Sequence, residues 1–352
     1  MVTLKEILCL KNWYAQAEQG QAFILQAGDC AEPFAEATED FVFKKTHFLM
    51  QLGNALQNQL NKPVCVVGRI AGQYAKPRSS SLEISGDLAL PCYRGDLING
   101  FEFTVQAREQ NSDRLPMAHA CAEKTLQFIR IVLGNNLTKF FTSHEALLLD
   151  YEKFHTRPFE TTHLNYNFGA HTVWLGERTQ KPHGEHVDYL SHIANPIGIK
   201  LSARISEDDL VSLLNVLNPT NESGKINLIT RLGCPQVTEK LPKLICAVKK
   251  AKQNVSWSVD PMHANTYKTQ RGVKTRNFNA IVEETGLTAQ VHKNENSILS
   301  GVHLEVSPFD VTECVGGECN LTENGLLQNY QTYCDPRLNQ SQSFEFVRTA
   351  FT

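Results

Sequence analysis

The chain carries its chemically useful residues at the downstream ends of short apolar runs. Val255-Ser256-Trp257-Ser258-Val259 reads as a buried strand and passes directly into Asp260-Pro261-Met262-His263-Ala264-Asn265. Proline cannot donate to a sheet ladder, so Pro261 ends the strand and His263 is delivered just beyond it. The same pattern recurs at Cys30, Arg69, Glu145, Glu177 with Arg178, Lys200, Arg231 and Glu305. A charge at the end of an apolar run is costly to bury unless it meets a partner or a ligand. These residues form two chemical sets. Arg69, Arg178, Lys200 and Arg231, with Lys76 and Arg78 nearby, are cationic. Guanidinium groups grip phosphate or carboxylate with two parallel hydrogen bonds, and lysine acts as a compact point charge. So many cations in a chain of net charge −3 point to a substrate with more than one anionic group. Cys30, His263 and Glu305, joined by Asp335, offer one sulfur, one nitrogen and two oxygen donors. That set suits Mn, Co, Fe or Zn with a position left for substrate, although the four lie too far apart in sequence for local spacing to mark a site. A metal beside an anion cradle points to Lewis-acid chemistry on a phosphorylated metabolite.

Such positioning requires strands that all end on one side, and the C-terminal mouth of a parallel barrel provides it. Residues 22–27, 64–68, 139–143, 171–175, 197–201, 226–230, 255–259 and 302–306 read as strands. They alternate with segments that read as helices, among them 114–134, 206–217, 236–252 and 276–285. Eight strands in this alternation predict an α/β fold, the (β/α)8 TIM barrel. The competing open doubly wound sheet lacks support, because no Gly-x-Gly-x-x-Gly follows the first strand. Ahead of it, Leu4, Ile7, Leu8 and Trp13 recur at helical spacing over residues 3–19, with Thr3 and Glu6 as a capping box and Gly20 as the stop. Residues 1–352 are expected to form one barrel domain carrying this short N-terminal helix. Residues 79–112 are expected to be a long irregular connection, of the kind that is usually functional in a compact domain.

Composition narrows the reading. At 352 residues, 41% hydrophobic and 20% charged, the chain can bury a large core without disulfide support. Its ten cysteines lack paired Cys-x-x-Cys spacing and are expected to be mostly free thiols, with Cys9, Cys65, Cys121 and Cys246 as core filler. The small negative charge excludes a surface built as a whole for nucleic acid or anionic membrane. No apolar run is long enough to span a bilayer, and Met1-Val2-Thr3-Leu4-Lys5-Glu6 has no signal-peptide core. A cytoplasmic protein is expected.

Several motifs resemble one family. Gly28-Asp29-Cys30-Ala31-Glu32, the run from Gly68-Arg69 through Lys76-Pro77-Arg78-Ser79, Tyr93-Arg94-Gly95-Asp96 and Ser143-His144-Glu145-Ala146 are similar to those of class II (plant-type) 3-deoxy-D-arabino-heptulosonate 7-phosphate (DAHP) synthases. So are Gly176-Glu177-Arg178-Thr179, Ala194-Asn195-Pro196-Ile197-Gly198, Asp260-Pro261-Met262-His263, His303-Leu304-Glu305 and Cys334-Asp335-Pro336-Arg337-Leu338-Asn339. The resemblance runs in order from about residue 20 to the C-terminus. It implies a barrel enzyme that joins phosphoenolpyruvate to erythrose 4-phosphate and releases phosphate, at the entry to the shikimate pathway. It implies Cys30, His263, Glu305 and Asp335 as ligands of Mn2+ or Co2+, with Zn2+ or Fe2+ as alternatives. Arg69, Arg178, Lys200 and Arg231 then correspond to the phosphoenolpyruvate cradle with Glu177 alongside, and Lys76, Arg78 and Ser79 to the segment that receives the aldehyde. Lys200, Glu177 and Arg178 are the implied catalytic group, with Lys200 a proton donor or an electrostatic stabiliser. A homodimer is implied as the assembly.

The chain departs from the pattern in three places. Ser202-Ala203-Arg204 follows Lys200-Leu201 where the family usually has Gly-Pro, which adds bulk and charge near the mouth and leaves open a different aldehyde, such as an amino-sugar analogue. Ala264 stands where Gly is common. The chain is also short and lacks an extra helical pair before the third strand, which implies an enzyme without aromatic amino-acid feedback, as in secondary metabolism. Two rivals of other classes are a catalytically silent barrel that binds phosphorylated ligands and a metal phosphoesterase. The phosphoesterase would want further Asp or His ligands for a second metal.

Overall fold

Strands buried on both faces carry apolar residues along both sides, and eight such strands occur among the described residues. In the computed structural model, which describes residues 1–135 and 137–351, they are β1 (Phe23–Gly28), β2 (Val64–Arg69), β3 (Phe140–Glu145), β4 (Thr172–Leu175), β5 (Ile197–Leu201), β6 (Ile226–Thr230), β7 (Ser256–Val259) and β8 (Gly301–Glu305). All pair in parallel, each beside the next in chain order, and β8 returns to pair with β1. The ring is closed and no edge is left to pair elsewhere. The fold is the (β/α)8 barrel expected from the alternation, and the open sheet is excluded.

Register decides what meets at the mouth. Gly28 at the end of β1 is level with Arg69 on one side and Glu305 on the other. Gly28 has φ +149°, and a Cβ there would lie 2.8 Å from the Arg69 carbonyl oxygen. Its missing side chain leaves room for the β2 backbone at Arg69, and the Arg69 and Glu305 side chains meet at 2.9 Å.

The opposite end of the barrel is closed by helix α1 (Leu4–Glu18). Both halves of the Thr3/Glu6 capping box form. Leu10, Tyr14 and Ala17 pack upward against Ile24, Cys65, Val67 and Phe141 from three strands. The Trp13 indole N–H donates to the Thr138 carbonyl at 2.7 Å and pins the helix in place.

Some expectations need correction. Residues 79–112 are not wholly irregular: Leu82–Ser85 and Leu88–Pro91 form a hairpin. The guanidinium of buried Arg108 organises the rest, donating to the carbonyls of Pro91, Phe101 and Glu102 and to the Glu83 carboxylate. The helix expected over 276–285 runs from Phe278 to Asn294. Gly286 invites an early stop, but it sits in open space while Ile281, Thr285, Thr288 and Val291 carry the buried face through it. Of the four cysteines expected in the core, only Cys65 is buried; Cys9 and Cys121 are half-buried and Cys246 is exposed, and all ten are free thiols. Among the described residues, no helix is long and apolar enough to cross a membrane.

Leu10 is fully buried in the plug. Leu10→Ala is expected to cost about 2–5 kcal/mol of stability, read as a lowered urea midpoint with an unchanged slope.

Candidate active site

The charged strand ends converge on a cavity in the C-terminal mouth. Arg69, Lys76, Glu177, Arg178, Lys200, Arg231 and His263 line its inner part, with Glu145, Trp174 and His303. It continues outward as a cavity of about 330 Å3 bounded by Arg78, Ser79, Lys268, Lys274 and Asp335, and the two parts share Lys76, Arg178, Arg231 and His263. Donor atoms of Cys30, Glu305 and Asp335 lie within 4.8 Å of one another, and His263 Nε2 is 3.1 Å from Glu305 Oε1. All twelve residues singled out from the sequence are therefore brought to one place.

The two sets interlock. Glu305 is fully buried; Oε1 accepts from Arg69 at 2.9 Å and Lys76 at 3.0 Å, while Oε2 pairs with Arg276 at 2.7 Å. Burial opposes its ionisation, but His263, Lys76, Arg276 and Arg69 outweigh that and hold the carboxyl well below the usual range. Arg69 is fixed by a relay through the barrel interior. Ser143 Oγ donates to the Gly68 carbonyl and accepts from Gln26 Nε2; Gln26 Oε1 faces His303 Nδ1 at 2.9 Å; His303 Nε2 faces Arg69 NH1 at 2.7 Å. Because Arg69 can only donate, His303 carries its proton on Nδ1 and is neutral. Burial, reinforced by Lys200 and Arg69, holds its pKa well below the usual histidine value.

Asp260 joins the donors to the cradle. Its Oδ1 accepts the backbone N–H groups of Met262 and His263, and its Oδ2 lies 2.7 Å from His263 Nδ1 and 2.5 Å from Lys200 Nζ. With Asp260 at Nδ1, His263 Nε2 is turned toward Glu305 Oε1 and Lys76 Nζ, the kind of arrangement that orients a ligating histidine. Burial pushes the Lys200 ammonium down to about 7, against the pull of Asp260 and with help from Arg69 and Arg231.

The donor set fits a divalent cation on two counts. Its sulfur, imidazole and carboxylates are the ligand types of a transition ion. A positive charge is already accommodated among them, since Lys76 Nζ lies 3.1 Å from His263 Nε2, 3.0 Å from Glu305 Oε1 and 3.1 Å from Asp335 Oδ2. The loops that carry Cys30 and Asp335 are also tied together. Asp29 pairs with Arg337 at 2.7 Å and with Lys45 at 2.5 Å, and Arg337 reaches Glu313 at 2.8 Å. Leu338 is hydrogen-bonded to both Glu305 and Ser307, which sews the second loop along β8.

Sequence reasoning assigned no role to Asp260, His303, Gln26, Trp174, Lys274 or Arg276. Asp260 could have been found, since an aspartate three residues before a ligand-like histidine can orient its ring. Arg276 had no local signal. It lies on a hairpin of three-residue strands (Thr266–Lys268 with Lys274–Arg276) and reaches Glu305 and the Pro336 carbonyl only through tertiary structure. Ser202 and Arg204 line neither part of the cavity; both contact Glu177.

A closed (β/α)8 barrel with its ionisable groups gathered at the C-terminal mouth has the form of a barrel enzyme. The chain belongs to the class-II DAHP synthetase family, whose model matches residues 1–138 and 134–351. It is 37% identical to the phospho-2-dehydro-3-deoxyheptonate aldolase of Streptomyces coelicolor, covering 96% of this chain and 86% of that one. It is 36% identical to the enzyme of the same name from Neurospora crassa, covering 99% and 85%. A solved structure of the Francisella tularensis phospho-2-dehydro-3-deoxyheptonate aldolase superposes with a TM-score of 0.56 at 15% identity, over 99% of this chain and 93% of that one, a likeness of fold.

Arg337→Met would leave Asp29 and Glu313 buried without their guanidinium, at an expected cost of about 3–5 kcal/mol in urea unfolding at pH 7. Burial raises the Asp29 pKa, but Lys45 and Arg337 lower it further, so it lies below its ordinary 3.8 in the folded state. The stabilisation from this pairing is complete above the unfolded value and is lost as pH falls through the folded one. The gap between variant and wild type is therefore expected to close only below pH 3.8, checked by repeating the titration in acid.

Proposed function

We propose that the chain condenses phosphoenolpyruvate with erythrose 4-phosphate to give DAHP and inorganic phosphate, with a divalent metal ion held by Cys30, His263, Glu305 and Asp335. The observation that carries this reading is the shared wall: Lys76 and His263 line both the inner, Arg/Lys-rich part of the cavity and the outer part that reaches Asp335. Family membership and the names of the relatives support the same reaction.

In this reading, Arg69, Arg178, Lys200 and Arg231 bind the phosphate and carboxylate of phosphoenolpyruvate, the multiple anion for which several cations are suited. Lys76, Arg78 and Ser79 receive the aldehyde and its phosphate in the outer part. A bound Mn2+ or Co2+ supplies Lewis acidity toward a carbonyl oxygen. The bond formed joins phosphoenolpyruvate C3 to the aldehyde carbon. Water then adds at C2, and the C–O bond to phosphate breaks. With a pKa near neutrality, Lys200 Nζ can hold or release a proton beside the phosphoenolpyruvate site. Trp174, itself buried, lines the inner part on the barrel side. Ser202 and Arg204 stand clear of the outer cavity, which favours erythrose 4-phosphate over a different acceptor.

Phosphate release is expected to need Mn2+ and erythrose 4-phosphate together and to stop on chelation; release without the aldehyde would sink the reading. Cys30→Ala is expected to weaken Mn2+ binding by about a hundredfold or more, measured by calorimetry. Lys200 is an ammonium below its pKa and neutral above it. The value of kcat/KM for phosphoenolpyruvate is therefore expected to fall as pH rises through about 7.

A further inference from the structure

Arg231 reaches the cavity with its guanidinium NH1 2.9 Å from Glu177 Oε2. The other oxygen of that carboxylate is held by the segment directly after β5. Ser202 Oγ donates to Glu177 Oε1 at 2.7 Å, and Arg204 Nε lies 3.1 Å from the same atom. Ser202 Oγ also accepts the Arg204 backbone N–H at 3.3 Å, which closes the turn. From the other direction, the Gln180 side chain donates to the Lys200 carbonyl, so the turn that carries Glu177 is fastened to the end of β5.

The two holds on Oε1 differ in strength. The Arg204 side chain is 87% exposed, and such an ion pair is screened and adds little. The Glu177 side chain is only 15% exposed, and a neutral hydroxyl donating to a carboxylate in that setting is among the stronger hydrogen bonds. Without the hydroxyl, one carboxylate is left between two guanidinium groups and can turn toward either. Arg231 then loses its fixed aim, and substrate must restore the order when it binds.

We propose that Ser202 is a positioning residue for the phosphoenolpyruvate cradle, holding Glu177 so that Arg231 is aimed into the cavity. The inference rests on the assignment of that cradle under the proposed function. It makes Ser202-Ala203-Arg204 a determinant of affinity for phosphoenolpyruvate rather than of acceptor choice.

The test uses the full chain loaded with Mn2+. Phosphoenolpyruvate binding is measured by calorimetry, and KM for each substrate and kcat by phosphate release. Ser202→Ala is expected to weaken phosphoenolpyruvate binding by about three- to tenfold. Acceptor KM should stay unchanged and kcat within about twofold. Ser202→Thr, which keeps the hydroxyl, should return binding to within about twofold of wild type, and Arg204→Ala should change it by no more than that. Ser202→Ala binding phosphoenolpyruvate as wild type does, or altering acceptor KM instead, would overturn the inference and leave the cradle standing. A wild-type protein that binds no phosphoenolpyruvate would overturn the cradle assignment and this inference with it.

Discussion

The site depends on the Glu305 carboxylate. It is fully buried, yet Arg69, Lys76 and His263 meet one of its oxygens and Arg276 the other. Two buried guanidinium groups, Arg69 and Arg276, cannot be kept there without a counter-charge, since an unpaired buried ion costs several kcal/mol. Glu305 supplies that charge, and it can do so because β8 closes on β1 with Gly28 between Glu305 and Arg69. Barrel closure and charge balance are thus met by one residue pair. The relay from Ser143 through Gln26 and His303 then only has to set the angle of a guanidinium whose charge is already matched.

Asp260 gives the second half of the arrangement. One carboxylate oriented by two backbone N–H groups faces His263 on one side and Lys200 on the other. The ligand-type residues and the cationic strand ends are therefore not independent sets that happen to adjoin. Lys200 and the His263 imidazole share one acceptor, Asp260 Oδ2, so displacing either one disturbs the other. The residues toward solvent are held more loosely: Arg178 is exposed and Arg231 half-buried. Burial thus falls from the floor of the cavity to its rim.

Much of this could be read from the chain because parallel barrel strands are buried on both faces. Continuous apolar runs locate them, and a charged residue at the end of such a run stands out. That reasoning found Arg69, Lys200, Arg231, His263 and Glu305. It could not find Arg276, whose three-residue strand is polar and whose partners lie about 30 and 60 positions away. Gln26 and His303 sit inside strands, where an isolated polar residue gives no sign of which neighbour satisfies it. The segment Ser202-Ala203-Arg204 was placed near the mouth correctly, but position along a strand does not give side-chain direction, and it turns to Glu177. Cys246 differs from its expected burial for a related reason: its apolar helix neighbours Leu244 and Ile245 face the core while the next position faces out.

The Asp29–Arg337 pair joins residues 308 positions apart. Cys30 emerges early in synthesis, and the cationic strand ends follow through the middle of the chain. Asp335 and the arginine that anchors its loop come almost last. A growing chain therefore contains Arg69, Arg178, Lys200 and Arg231 well before Asp335 has been made, although the barrel that brings them together closes only when β8 joins β1. Bringing Cys30 and Asp335 together is thereby a late event in the life of each molecule, and a product truncated before residue 335 would lack both Asp335 and the Arg337 that ties its loop to Asp29.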